Sequence, residues 1–291
     1  MNEKTGPYHV IDLPAERRMM PDLFDLSWRR HCMYGLLEVD VTIAKRFIDD
    51  CKAQTGEALS FTGYLAFCLA RAVNEDKVVQ AYLKGRKQLV VFDDVNVGLM
   101  VERKIGGERV LTGHVIRGAN HKTYREIHQE IRAVQSKPVP PNGGMTSWFR
   151  SALLLPWPLS GWFKGLFRRV MRRDPTIPIS MAGTVGVTAV GMFGKSLGGW
   201  GLAPTMHSLD LVVGSITCKP GVMDGRIEPR EILNLTVAFD HDVIDGAPAT
   251  RFVRRLVELI ESGYGLDEDR TKSAIDVVQV KNDQKMEDKS V

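Results

Sequence analysis

His241 and Asp245 stand four residues apart in Phe239-Asp240-His241-Asp242-Val243-Ile244-Asp245-Gly246, and a glycine follows the aspartate directly. Neutral imidazole is the natural proton acceptor near pH 7, and the end of a strand holds a side chain rigidly. The spacing points to base chemistry at a turn. The bland alternative for His241 is a turn histidine that bonds its own backbone. Asp245 with Gly246 also reads as an ordinary Asp-Gly turn, so its expected role is mainly structural. Gly246 allows close backbone approach where the next element starts.

The remaining reactive side chains offer less. His31, His114, His121, His128 and His207 show neither HExxH nor another paired metal spacing, and each reads as structural or surface. Cys32, Cys51, Cys68 and Cys218 form no CxxC pair. Cys51 and Cys68 lie in helical patterns among apolar residues, so buried thiols are expected rather than a disulfide framework or a zinc site. Asp93-Asp94 reads as a turn, and Gly198-Gly199-Trp200-Gly201 as a flexible loop. No metal is expected.

The elements that must position His241 follow from periodicity. The run Ile232 to Phe239 is a strand that delivers the histidine to a turn. An amphipathic helix from about Ala247 to Ser262 follows, with Phe252, Val253, Leu256, Val257 and Ile260 inward and Gly263 as its cap. Upstream, Leu36–Val41 alternates as a strand. Thr42 opens a helix that Gly56 stops, and Ser60 caps a second helix. Leu89–Phe92, Val95–Val101 and Val110–Ile116 read as strands. Thr123 with Glu126 forms a capping box for a helix with Ile127, Ile131 and Val134 inward. Strands return at Thr184–Val190 and Leu211–Thr217. This order implies an α/β two-layer sandwich with a mixed sheet and helices on one face. No glycine-rich phosphate turn follows the first strand, which argues against a Rossmann or P-loop domain.

The chain of 291 residues is 44% hydrophobic and 25% charged, with a net charge of +4. That is ample material for a core, and no nucleic-acid partner is indicated. The N-terminus has no apolar signal-peptide core, and the longest uncharged apolar stretch, 151–163, is too short to span a bilayer. A cytoplasmic location is expected. The organisation reads as an N-terminal segment 1–21, a catalytic domain 22–265 with a basic-aromatic insert at 143–175, and a charged, flexible tail 266–291.

The HxxxDG spacing resembles the signature of the chloramphenicol acetyltransferase-like fold. Its flanks, Asp240-His241 through Ile244-Asp245-Gly246-Ala247 to Arg251-Phe252 and Leu259-Ile260-Glu261, resemble the dihydrolipoyl acyltransferases of 2-oxo acid dehydrogenase complexes. Four further blocks occur in the family's order: Leu37–Thr42, Asp93–Gly98, Val115–Thr123 and Gly183–Gly194. The resemblance implies transfer of an acyl group between coenzyme A and a dihydrolipoyl-type thiol supplied in trans. It implies His241 as general base and an oxyanion donor at Thr188, where the family has serine. Asp245 would act through an arginine near the chain start, Arg17 or Arg18. A packing role is the alternative for Thr188, since threonine suits strands. The resemblance also implies a homotrimer, or multiples of it, with the site between subunits. A lipoyl-domain protein and other complex components would be partners. Two departures stand out: Ala189 replaces the family's asparagine, and Asp242 replaces the arginine that usually follows the histidine. A stand-alone form without lipoyl or subunit-binding domain is expected.

The insert carries Trp148, Trp157 and Trp162 with Lys164, Arg168, Arg169, Arg172 and Arg173. Residues 146–173 could contact a membrane surface, cover the site as a lid or subunit contact, or fill a groove as a hairpin. Two other functions remain open from the sequence. One is O-acetylation of a small-molecule hydroxyl. The other is an inactive scaffold of the same fold.

Overall fold

The computed structural model describes residues 8–12, 21, 24, 30–85, 87–105, 108–137, 161, 165–166, 169, 174, 176–190 and 198–266. Arg17, Arg18, nearly all of the insert 143–175 and the tail beyond 266 lie outside the described residues.

The main sheet has six strands in the order β1-β8-β7-β6-β4-β5. β1 (Cys32–Asp40) runs antiparallel to β8 (Arg226–Asp240), and β8 antiparallel to β7 (Leu209–Met223). β6 (Val185–Ala189) lies parallel to both β7 and β4 (Val97–Ile105), and β5 (Glu108–Ile116) closes the edge antiparallel to β4. The mixed sheet is as the sequence predicts. A separate two-stranded ribbon pairs β2 (Tyr82–Lys84) with β3 (Gln88–Val90). The expected strand at Leu89–Phe92 therefore belongs to the ribbon, and its last two residues lie outside β3.

Alternation explains the layering. Leu233, Leu235, Val237 and Phe239 of β8, with Leu209, Leu211 and Val213 of β7 and Val97, Leu99 and Val101 of β4, point to one side and join a single core cluster. The helices supply the other half: α1 (Thr42–Thr55), α2 (Phe61–Glu75), α3 (Tyr124–Ser136) and α5 (Gly246–Glu261). A short α4 (Thr176–Ala182) precedes β6. α2 is buried on most of its surface, as a central helix must be. α5 buries Ala249, Phe252, Leu256, Leu259 and Ile260, a stripe at helical spacing. Each large apolar side chain so buried contributes about 1.5–3 kcal/mol.

The helix ends follow their local chemistry. Ser60 accepts the Gly63 amide, Thr123 and Glu126 form the reciprocal capping box, and Gly56 and Gly263 take the left-handed conformation that ends α1 and α5.

Residues 198–207 cross the central strands on the face of the sheet away from the helices, while Tyr34, Leu36 and Met100 on its outer strands stay exposed. The sequence reads 198–201 as a flexible loop; the structure shows this stretch bonded to the sheet. The Trp200 indole donates to the Leu37 carbonyl at 2.9 Å, the Gly199 amide donates to Ser215 Oγ, and the Ser215 amide donates back to the Gly199 carbonyl. The β7 register shifts between Val213 and Ile216, where the segment crosses.

β7 and β8 form a hairpin much longer than the expected Leu211–Thr217 and Ile232–Phe239. Fifteen-residue strands meet at an Asp224-Gly225 turn, both residues at positive φ. Its distal half, Cys218–Met223 against Arg226–Glu231, reaches beyond the flanking strands β1 and β6.

Candidate functional site

His241 follows the last residue of β8 and lies exposed in a turn before α5. The backbone around it is tied down on both sides. The His241 amide donates to the His31 carbonyl at 2.9 Å, and the Asp240 amide to the Ser208 carbonyl at 2.9 Å. The amides of Val243 and Ile244 close back on the Asp240 carbonyl at 3.0 and 3.2 Å. An accessible imidazole on a fixed backbone is the arrangement that a proton acceptor needs.

The neighbours of His241 in sequence engage two consecutive residues that lead into β1. Arg30 Nε lies 3.9 Å from Asp240 Oδ2. His31 Nδ1 lies 2.9 and 3.0 Å from the two carboxylate oxygens of Asp242. Burial raises the pKa of Asp240 above its ordinary value, against the pull of the Asp242 amide and of Arg30. The Arg30 guanidinium also lies over the Tyr82 ring, 5.3 Å from its centroid, and the Tyr82 hydroxyl donates to the Thr184 carbonyl at 2.9 Å.

Asp245 occupies the residue before α5 in extended conformation, and its carboxylate caps no helix amide. Gly246 is the first residue of α5, but a Cβ there would meet no described atom within 4 Å, so the close backbone approach expected of this glycine does not occur within the described chain. The arginine expected to pair with Asp245 lies outside the described residues.

Thr188 sits near the end of β6, half-buried, in register with Val212 of β7 and through it with Thr236 of β8. His241 lies five residues beyond Thr236, just past the end of β8. Two strand spacings sideways and five residues lengthwise separate Thr188 from His241 by on the order of 20 Å. One chain does not bring these two residues together.

A buried histidine–carboxylate pair lies beside this region, and nothing in its sequence spacing foretold it. His207 Nδ1 is 2.6 Å from Asp210 Oδ1, and His207 Nε2 donates to the Ala182 carbonyl at 3.1 Å. Asp210 Oδ2 accepts the amides of Met206 and His207. Burial works to raise the Asp210 pKa, yet the His207 ring and amide and the Arg30 charge outweigh it and hold the carboxyl below its usual range. Both ring nitrogens of His207 thus face oxygen atoms, one a carboxylate and the other a backbone carbonyl. The pair needs Gly186: a Cβ there would lie 2.0 Å from Asp210 Oδ1.

The other histidines the sequence leaves without partners also face carboxylates. His114 meets Glu130 at 2.9 Å, His121 meets Asp94 at 3.1 Å and His128 meets Glu57 at 3.1 Å. Of the thiols expected to be buried, Cys68 is buried and Cys51 half-buried; Cys32 is half-buried with Sγ 2.9 Å from Thr205 Oγ1, and Cys218 is exposed. Among the described residues no group of three or more His, Cys, Asp or Glu could hold a metal ion, and no helix is long and apolar enough to cross a membrane.

Residues 7–138 and 173–266 match a family model described as 2-oxoacid dehydrogenases acyltransferase (catalytic domain). Among curated proteins, the chain is 28% identical over 234 residues to the lipoamide acyltransferase component of the branched-chain alpha-keto acid dehydrogenase complex of Bacillus subtilis (strain 168), covering 79% of this chain and 46% of that protein. It is 25% identical over 230 residues to the dihydrolipoyllysine-residue succinyltransferase component of the 2-oxoglutarate dehydrogenase complex of Bartonella vinsonii subsp. berkhoffii, covering 77% and 46%. The chain thus spans less than half the length of these relatives. Among solved structures, a probable dihydrolipoamide acetyltransferase from Listeria monocytogenes superposes with a TM-score of 0.64 at 20% identity, covering 89% of this chain and 96% of that one. The cubic core of a pyruvate dehydrogenase multienzyme complex superposes with a TM-score of 0.63 at 18% identity, covering 89% and 93%. At these identities the superpositions establish the shared fold.

Proposed function

Because the chain belongs to the family of 2-oxoacid dehydrogenase acyltransferase catalytic domains, we propose that it moves an acyl group between coenzyme A and a dihydrolipoyl-type thiol carrier supplied in trans. His241 takes the proton of the attacking thiol. A free thiol near pH 7 is mostly protonated, so a positioned imidazole creates the thiolate that attacks the acyl carbonyl. The hydroxyl of Thr188 donates to the oxyanion of the tetrahedral intermediate. Collapse expels the second sulfur as a thiolate, and His241 returns the proton to it.

The observation that carries this reading is the placement of His241: exposed, at a strand end, on a backbone bonded on both sides. The separation of Thr188 from His241 within one chain adds a requirement. The hydroxyl must come from a second copy, which supports a homotrimer or multiples of trimers with the reaction at the subunit boundary. Asp245 and Gly246 set the helix start behind the histidine, with Arg18 as the expected support of Asp245. A lipoyl-domain protein and other dehydrogenase components are the partners that supply the carrier, and a cytoplasmic location goes with them.

The test is acetyl-coenzyme A turnover with dihydrolipoamide, free and attached to a lipoyl domain. Turnover that needs both substrates and disappears in His241→Ala is the expected result. Turnover unchanged in His241→Ala, or acetylation of a small-molecule hydroxyl without any thiol transfer, overturns it. No turnover with any acceptor leaves the inactive scaffold as the function.

A further inference from the structure

Two consecutive side chains leading into β1 reach the two acidic residues that flank His241. Arg30 approaches Asp240, and His31 approaches Asp242. The His31 carbonyl meanwhile accepts the His241 amide itself. His31 therefore touches the turn twice, once through its backbone at residue 241 and once through its ring at residue 242. We infer that His31 and Asp242 form a clamp that positions the His241 turn, and that both are positioning residues for the acyl transfer; this rests on the reading of His241 as the base.

Asp242 must engage something. A free carboxylate beside a histidine that becomes cationic during turnover would compete for that cation. His31 Nδ1 lies within hydrogen-bonding distance of both Asp242 oxygens, so the carboxylate is held toward β1. Asp242 is held from its other end as well, since its amide donates to Asp240 Oδ1 at 3.1 Å. Asp240 in turn faces Arg30, which fixes the turn to the segment entering β1 at a second point.

The geometry calls for an effect on turnover rather than on folding. The His31 ring is 78% exposed and the Asp242 side chain 41%, so exposed-pair energetics apply and little stability is at stake. What the clamp supplies is a fixed direction for the next residue. Small misplacements of a reacting group can cost up to about 10² in rate.

The test compares His31→Ala, Asp242→Asn, the double variant and His31→Gln, whose side-chain amide can still donate to Asp242. Two readouts are taken on the intact protein. The first is kcat and KM for acetyl-coenzyme A with dihydrolipoamide. Each single change should lower kcat about tenfold with KM within about twofold, the double variant should be no worse than the worse single, and His31→Gln should recover most of the loss. The second is hydrogen exchange of the His241 amide, expected about tenfold faster in His31→Ala and restored in His31→Gln. Exchange unchanged in His31→Ala, or losses in kcat that multiply in the double variant, overturns the clamp. If the unaltered protein shows no turnover, the acyltransfer reading fails by itself and the exchange measurement still decides the clamp.

Discussion

Gly186 and Asp210 face each other across adjacent strands so closely that a methyl group on the glycine would lie 2.0 Å from the carboxylate oxygen that meets His207. The space is bounded by the ring of His207 as well, 2.5 Å from the same position. A buried histidine–carboxylate pair thus depends on a residue with no side chain.

Gly186→Ala should therefore unfold more easily than the parent. Displacing either partner breaks a buried hydrogen-bonded pair around the Asp210 carboxylate, and a loss of about 3 kcal/mol is expected. Urea unfolding at pH 7 measures it. A loss below about 0.5 kcal/mol would mean that the pair moves aside freely.

Thr188→Val keeps the β-branched shape and removes the hydroxyl. Turnover should fall by about 10²–10³, the usual cost of one oxyanion donor. A change within a few fold would remove Thr188 from the chemistry.

Mixing tests the boundary between copies. Separately inactive His241→Ala and Thr188→Val chains, unfolded and reassembled together, should regain part of the parental activity, since some interfaces pair an intact histidine with an intact hydroxyl. No recovery in mixed oligomers confirmed by mass would place both residues in one chain's site, against the spacing across the sheet.

His128 should impose a pH dependence on stability. Its Nδ1 accepts the Ser60 amide at 3.0 Å, so the ring is the tautomer with hydrogen on Nε2, facing Glu57. Burial outweighs the Glu57 charge and lowers its pKa below the ordinary 6.5. The unfolded chain then takes up the proton first, so the contribution is fully present above that value and is lost as pH falls below it. Urea midpoints from pH 8 to pH 5 should decline more steeply for the parent than for His128→Asn.

Asp40→Ala should loosen the start of α1. Asp40 Oδ1 accepts both the amide and the hydroxyl of Thr42, at 2.9 and 2.5 Å, and Oδ2 accepts Arg230 Nε at 2.6 Å. Burial opposes ionisation here, but the Thr42 bonds and Arg230 hold the carboxyl below its ordinary value. A loss of about 2 kcal/mol is expected by urea unfolding. The contribution is present above the unfolded carboxylate pKa and fades as pH falls through the folded one.

Periodicity and caps made α1, α2, α3, α5 and the core face of the sheet legible, because apolar spacing and terminal residues are local signals. The His241 turn was legible for the same reason: strand, glycine and helix lie within one short stretch. The histidine–carboxylate pairs were not. His31 and Asp242 are 211 positions apart, and only the β1–β8 register makes them neighbours. The distal hairpin was missed although Asp224-Gly225 is a strong turn signal. Its strands carry prolines and charges where apolar alternation would normally reveal them.

Those same prolines have a use. Pro220 and Pro229 stand opposite one another in the β7–β8 ladder, out where neither flanking strand reaches. Neither contributes an amide hydrogen, and Lys219, Glu228 and Arg230 surround them. A bare ribbon with Val222 and Ile227 exposed at its tip would otherwise invite stray chains to zip alongside. With proline at both positions, each edge of this projection lacks one hydrogen donor that an approaching strand would use.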